Sequence, residues 1–553
     1  MNLLTKLLRC FNTKPYGPRL RAEIALEGGL LISTGQTTRW FRPLDPKTRT
    51  MLFTVALLVV AAWLYSKYCH NYWAARGVVT IPGYIPFLGH SHKLFRTSYP
   101  RWLYIDEEYK NLAGSKFCGY YDQLTPTLML MDPELVKTIL IKDFNHFADR
   151  RNFGMTSKRD ETAKEMLSFS NGDHWKRIRS VLSPTFTSSR IKGMFPLVAL
   201  KADALVDYIH REIKSHSALP LRRTFALLTL EVISSCAFGV ETNSFQGEEQ
   251  IINDMADKLL NVSGSRIRNM KTLLFFLFPR SCSFFKISFS PPEIVFFENV
   301  IMETMKQREK GGKRGDFLDL LMEAREDQKD PDLKAPKYPL KDVTIVAESI
   351  LFIIVGYETT ATTLSFIAFL LAQYPEQQQR MRQELKNIVK EYGTLTYQGI
   401  MEAKFLDACM SEALRLHPTI NFVERICTKD YNISGTDMII PKKTIVSIPF
   451  WSLHKDPQYW ADPDVFSPDR FLPENKDKIK SGTYLPFSLG PRNCIGMRFA
   501  LMEVKLVLAK ILLEFEVSCA PGQEQMEFAK SFGGMRPSPD MKIVFKPLIN
   551  CEQ

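Results

Sequence analysis

In a chain of 553 residues, the densest run of chemically apt residue types is Phe487-Ser488-Leu489-Gly490-Pro491-Arg492-Asn493-Cys494-Ile495-Gly496. It presents one cysteine in a glycine-punctuated loop beside an arginine, which is a way of offering a thiolate to a metal centre. Gly490 and Gly496 let the backbone bend where a side chain would clash, and let a flat group approach closely. Arg492 can pair with an anion, and amides near the sulfur can tune its electron donation. From Met497 to Leu508 apolar residues recur at helical spacing, so Cys494 lies near a helix N-terminus, whose dipole favours a thiolate. Most single cysteines are buried and inert. Five positions fixed together as Phe-x-x-Gly-x-Arg-x-Cys-x-Gly favour the ligand instead.

A second constellation is Ile353-Ile354-Val355-Gly356-Tyr357-Glu358-Thr359-Thr360, inside a long apolar segment from about Lys341 to Ala372. Glu358 and the hydroxyls of Thr359, Thr360, Thr362 and Thr363 argue against a membrane span, because an intramembrane carboxylate is costly. A helix apolar on most sides is then a central core helix. An acid followed by an alcohol at its midpoint, near a glycine, suits a proton relay to a bound ligand. A third pair, Glu412 and Arg415, is spaced i to i+3 on a helix rich in Leu, Ala and Met. That apolar setting, with Arg470 as a third charge, favours a buried structural network over a surface ion pair of little worth.

Taken together these motifs resemble the cytochrome P-450 family of heme-thiolate monooxygenases. Glu412-Ala413-Leu414-Arg415 is similar to its Glu-x-x-Arg motif, and Pro468-Asp469-Arg470-Phe471 to the segment that completes a Glu-Arg-Arg network. Trp175-Lys176-Arg177-Ile178-Arg179 is similar to its Trp-x-x-x-Arg, and the likeness runs from about Thr80 to the C-terminus. It implies a mainly α fold with a smaller β-rich region, and a heme b held between the long central helix and the cysteine loop. Cys494 would be the axial ligand, with Phe487, Arg492 and Gly496 around it, and Trp175 and Arg179 would reach heme propionates. Arg425 and Arg150 join them on a closer similarity to the vertebrate drug-metabolising 3A subfamily. Across the heme, Thr359 and Glu358 would deliver protons for oxygen activation, and Gly356 would leave space for oxygen. Val355 departs from the family's usual Ala or Gly and implies a more crowded site. The pocket would be lined by the loop after Phe153, by Ile354, Val355, Ile420 and Phe422, and by Gly533; these are mostly apolar, so a lipophilic substrate follows.

The composition fits one large catalytic unit, with 45% hydrophobic content and ten scattered cysteines that form no Cys-x-x-Cys pair. Such cysteine usage suits a reducing compartment. No Gly-x-Gly-x-x-Gly or P-loop occurs, so NADPH and flavins are expected on another protein, an NADPH-cytochrome P-450 reductase, with cytochrome b5 as a further electron partner. No nucleic-acid partner is expected.

The uncharged stretch Thr50 to Ser66 is just long enough to span a bilayer, and Lys67, Arg76, Lys93 and Arg96 follow it. The positive-inside rule then places the globular part in the cytosol, as a single-pass endoplasmic-reticulum protein. We therefore expect a basic extension over 1–50, an anchor over 51–66, a Pro-rich linker over 67–89 and a catalytic domain over 90–553. The extension carries a net charge of +6, half of the chain's +12, which opposes its transfer to the lumen. It reads either as a transit peptide or as sequence ahead of a working start at Met51, and the second removes the charge conflict.

Phenylalanines from Phe275 to Phe297 suit either helix packing or a membrane-dipping entrance. A short β unit is expected between Tyr431 and Ile448. The function so implied is insertion of one oxygen atom from O2 into a steroid-like or foreign lipophilic compound. Alternatives are a heme-thiolate isomerase or lyase acting on lipid peroxides, and a non-catalytic membrane heme sensor or carrier.

Overall fold

The computed structural model describes residues 30–32, 39–41, 45–95, 101–151, 155–239, 244–246, 250–260, 270–271, 274–275, 278–312, 314–327, 339–529 and 534–548. Two compact units divide at Cys69 and His70. In the smaller unit, Leu30–Ile32 pairs antiparallel with Arg39–Phe41. Helix α1 (Pro46–His70) starts where Asp45 accepts the amides of Lys47 and Thr48 at 2.9 and 3.0 Å, with proline at the first helical position. The helix overruns the expected anchor at both ends, and its apolar side chains from Met51 to Leu64 are mostly exposed. Most of the basic extension lies outside the described residues, as do Phe153, Gly533 and Arg96.

In the larger unit, the stretch expected as a linker is part of the packed structure from His70 onward. Trp73 is fully buried, the Ile81 amide donates to the Gly119 carbonyl at 3.0 Å, and the Gly119 amide donates to Val79 at 2.8 Å. Strands β1 (Phe117–Asp122) and β2 (Thr125–Leu130) form an antiparallel hairpin. Helix α2 (Gly172–Leu182) carries Trp175 and Arg179 on successive turns. A short strand β3 (Leu219–Pro220) precedes helix α3 (Leu221–Phe238).

Helix α4 (Asp342–Gln373) is the central element, buried along almost all its length, and α3 packs along it. It is apolar on most sides because most of its surface meets protein, and it ends where Pro375 follows Tyr374. Both α1 and α4 are long and apolar enough to cross a membrane, but two thirds of the α4 window is buried inside the protein, as a core helix requires.

Helix α5 (Lys404–Leu416) bears the Glu-x-x-Arg pair. Strands β4 (Val423–Ile426) and β5 (Ile445–Ile448) complete a sheet of order β1-β2-β5-β4. The β unit expected between Tyr431 and Ile448 is present, with a hairpin of Tyr431–Asn432 and Ile439–Ile440 ahead of β5. Helix α6 (Met497–Glu514) follows the cysteine loop, and β6 (Phe515–Cys519), β7 (Lys542–Pro547) and β3 form a second sheet in that order. The phenylalanine cluster divides: Phe275 and Phe297 are buried, while Phe284 and Phe285 are exposed. The fold is mainly α, as expected, with small sheets.

Candidate active site

The cysteine loop is shaped by one glycine above all. Gly490 has φ +74°, and a Cβ there would lie 1.8 Å from the Leu140 carbonyl oxygen, so no other residue fits without moving that backbone. The Asn493 amide donates to the Gly490 carbonyl at 3.0 Å and the Cys494 amide to Phe487 at 2.9 Å, closing the turn. Arg179 reaches in from α2 and donates to the Asn493 backbone carbonyl at 3.0 Å and to its side-chain oxygen at 2.9 Å. Gly496 is the N-cap of α6 and shows no left-handed backbone; a Cβ there would meet only Phe186, at 3.8 Å.

Cys494 is exposed, and the surface it exposes lines a cavity of about 550 Å³ bounded also by α2, α4 and the strand preceded by Thr419. The protein around the thiol raises its pKa by desolvation, while the Gly496 amide, Arg179 and Arg150 act against that rise. From α4 the cavity receives Leu351, Phe352, Val355, Gly356, Thr359, Thr360 and Thr363. Thr359 Oγ1 donates to the Val355 carbonyl at 2.5 Å, which fixes its proton and leaves the oxygen free to accept.

Three guanidinium groups have hydrogen bonds unmet among the described residues: Arg492 and Arg150 line the cavity, and Arg425, outside the lining, is buried beside them. Arg492 lies 4.4 Å from the centroid of the buried Trp175 ring and donates Nη2 to the Ser170 carbonyl at 2.7 Å, but its Nε and Nη1 find no partner. Arg425 is wholly buried on β4, donates Nη1 to the Glu424 carbonyl at 2.9 Å, and leaves Nε and Nη2 unpartnered. Nε of Arg150 is likewise buried without a partner. Burial first lowers the pKa of all three; Arg150 and Arg492 add to this at Arg425, Arg179 adds to it at Arg150 against Cys494, and Arg150 and Arg179 bring Arg492 to about 9 with Asp149 partly offsetting. Unpaired donors and crowded positive charge of this kind call for an anion with several acceptor oxygens. A flat cofactor with two carboxylates, lying against Cys494, meets that need.

The family model for cytochrome P450 matches residues 81–545. The chain belongs to the cytochrome P450 family. Cytochrome P450 3A11 of Mus musculus is 36% identical over 89% of this chain and 95% of its own length. Cytochrome P450 3A9 of Rattus norvegicus is 35% identical over 89% of this chain and 96% of its own. Cytochrome P450 3A7 of Homo sapiens is 35% identical over 88% and 93%. The protein is thus a P450 monooxygenase whose family implies a heme-thiolate centre, and the cavity's donor set fits that group.

Around this P450 site the remaining expected residues fall into distinct places. Glu412 and Arg415 are fully buried and paired through two bonds of 2.6 and 2.8 Å, with Arg470 Nε 3.3 Å from Glu412. Arg415 also donates to the carbonyls of His454 and Pro463 at 2.9 and 2.7 Å. The His454 ring in turn accepts the Leu485 amide at 2.7 Å, two residues before Phe487, so the network reaches the cysteine loop through a histidine that no motif flagged.

Glu358 does not line the cavity. Its carboxylate is bound by Arg222 of α3, with Nε at 3.1 Å and a closer contact from Nη2, and lies 3.6 Å from Arg536. Burial alone would raise its pKa, but Arg222 and then Arg536 hold it below the usual carboxylate value. Arg222 lies 136 positions from Glu358, beyond the reach of any local pattern.

Gly356 lines the cavity, and where its Cβ would stand Ile233 of α3 fills the space with Cδ1 at 2.9 Å, so the missing side chain also lets the two helices pack closely. One expectation is corrected. Ile354 is not in the cavity lining and sits partly buried against the core. Val355, Ile420 and Phe422 do line the cavity, and so do Arg151 and Glu424, an ion pair at 3.0 Å that sequence reasoning passed over.

Proposed function

We propose that this P450 inserts one atom of O2 into lipophilic, steroid-like or foreign substrates, with electrons from NADPH passed through a flavoprotein reductase. The observation that carries the reading is a single cavity lined by both Cys494 and Thr359, with unpartnered buried guanidinium nitrogens at its margin. In this reading the Cys494 thiolate would hold the heme iron. Arg150, Arg425, Arg492 and Trp175 would seat its propionates, while Arg179 holds Asn493 and thereby the loop. Bound heme supplies oxygen activation driven by thiolate electron donation.

Thr359 relays a proton when its Oγ1–H swings from the Val355 carbonyl into the cavity, giving up its own hydrogen there as Oγ1 takes another from behind. Glu358, held ionised by Arg222, supplies that proton only after it has left the ion pair and taken one from water, so the pair sets when the relay is charged. Thr362 Oγ1, 3.5 Å from Glu358 Oε1, steadies the carboxylate on its own helix. Leu351, Phe352, Val355 and Ile420 exclude water and select an apolar substrate by shape. Helix α1 anchors the chain in the endoplasmic-reticulum membrane, with the catalytic unit on the cytosolic side.

Reconstitution with reductase, lipid and NADPH tests this, with untargeted product analysis over a broad lipophilic panel. Wild type should form oxygenated products. Thr359→Ala should divert reducing equivalents to peroxide, and Cys494→Ala should lose the thiolate-type carbon monoxide spectrum. A normal thiolate spectrum and normal reduction without any NADPH-dependent product would overturn the monooxygenase reading.

A further inference from the structure

Asp160 is wholly buried just before the short helix Glu161–Glu165. Its carboxylate accepts three hydrogen bonds from one distant stretch: Ser288 Oγ at 2.9 Å, the Phe289 amide at 3.0 Å and the Ser290 amide at 2.8 Å. Residues 287–291 form neither helix nor strand, so their buried amides need an acceptor from elsewhere, and Asp160 is that acceptor. Two flanking bonds sew the same segments together, Thr156 Oγ1 to the Ser283 carbonyl at 2.8 Å and Thr162 Oγ1 to Glu298 at 2.5 Å.

The consequence reaches the cavity through two rings. Phe289, held by its amide, meets Phe169 edge-on at 5.8 Å between centroids. Phe169 lines the cavity together with Leu167 and Ser168, and the Leu167 amide is tied to Glu348 of α4 at 2.5 Å. The strap from Thr156 to Phe169 is thus fastened to the central helix at one end and to residues 283–298 at the other. The α4 end is backed by the core. The other end depends on polar bonds to residues 283–298, two of them to Ser283 and Glu298 at helical positions and three from the irregular stretch 288–290 to the Asp160 carboxylate, a charged acceptor of the stronger class.

We infer that Asp160 is a positioning residue that latches this strap and so governs the passage of bulky ligands, acting through Phe289 and Phe169. The inference rests on the proposed reading of the cavity as the site of lipophilic substrates beside Cys494. Loss of the carboxylate shifts the strap toward its released arrangement without altering the wall residues. Entry and exit therefore quicken together while affinity changes little.

The test uses the heme-loaded full chain and follows the Soret shift by stopped flow, with clotrimazole as a bulky probe and imidazole as a small one. Asp160→Ala removes all three bonds, and clotrimazole association and dissociation should both be at least about tenfold faster, the equivalent of a single charge-assisted bond's net worth. Its dissociation constant should stay within about threefold, and imidazole rates within about twofold. Asp160→Asn keeps one carbonyl acceptor and should lie between the two, at about threefold. Hydrogen exchange at the Phe289 and Ser290 amides should quicken in the same order. Equal changes for both probes, or faster amide exchange with unchanged clotrimazole rates, would overturn the latch. If Asp160→Ala does not fold, Asp160→Asn carries the comparison, and unchanged amide exchange in it overturns the proposal. A wild-type protein that shows no azole shift instead refutes the reading of the cavity, while amide exchange still judges the latch.

Discussion

Arg425→Met should move the stability of the heme-free protein and its hold on heme in opposite directions. Arg425 is fully buried, makes one bond to the Glu424 carbonyl, and leaves two nitrogens unpartnered beside the like charges of Arg150 and Arg492. Each unpartnered buried donor costs about 1–3 kcal/mol, and the bond lost with the side chain returns about 1 kcal/mol. A methionine of similar length refills most of the volume, so the heme-free variant should be more stable by about 2 kcal/mol. With a carboxylate of heme bound, the same two nitrogens become charge-assisted donors, together worth about 1.5–3 kcal/mol. The variant should therefore lose about 10- to 100-fold in heme affinity. Urea unfolding of heme-free protein measures the first effect, and transfer of heme to an excess of a heme-scavenging apoprotein measures the second. A heme-free variant less stable than wild type, or an unchanged rate of heme loss, would refute the argument that these donors await an anion.

Gly356→Ala should cost about 1–3 kcal/mol in urea unfolding, because the new methyl meets Ile233 Cδ1 at 2.9 Å and Cγ1 at 3.1 Å. Adding Ile233→Val, which removes the Cδ1, should recover most of that loss, and strict additivity of the two changes would contradict the contact. His454 is fully buried and His417 half-buried, and desolvation first, then nearby cations, lowers each to about 3 from an ordinary 6.5. The unfolded chain then binds more protons, so stability fully present above pH 6.5 falls as pH drops toward 3, by about 1.4 kcal/mol per pH unit for each ring. His454→Gln should lower the slope of urea stability between about pH 6 and 5 by close to one proton's worth; an unaltered slope would mean that His454 is already charged in the folded state.

What the sequence made legible was local. The cysteine loop announces itself because its constraints lie within ten residues, from the turn at Gly490 to the helix start after Gly496. The i to i+3 spacing of Glu412 and Arg415 declares a shared face, and the apolar run of α4 declares a core helix, since each is a property of one element. Distant partners were illegible, and they changed what some residues do. Gly356 answers to Ile233, 123 positions earlier in the chain. His454 joins the Glu412 network to the cysteine loop through a backbone carbonyl and a ring nitrogen, neither of which leaves a sequence pattern.

Glu358 shows why that distinction matters for mechanism. An acid beside an alcohol on one helix suggests two groups facing one ligand, yet adjacent helical residues project about 100° apart and do not share a face. The geometry obeys that rule: Thr359 lines the cavity, while Glu358 turns toward Arg222 and Arg536. A carboxylate so held is ionised and aimed away from the cavity, so the proposed relay has to begin with the breaking of an ion pair. The cost of that step belongs to Arg222 on α3, and α3 is also the helix whose Ile233 fills the space beside Gly356. Control of the proposed relay and of the helix spacing beside Gly356 therefore fall on one neighbouring helix, and α4 alone does not determine either.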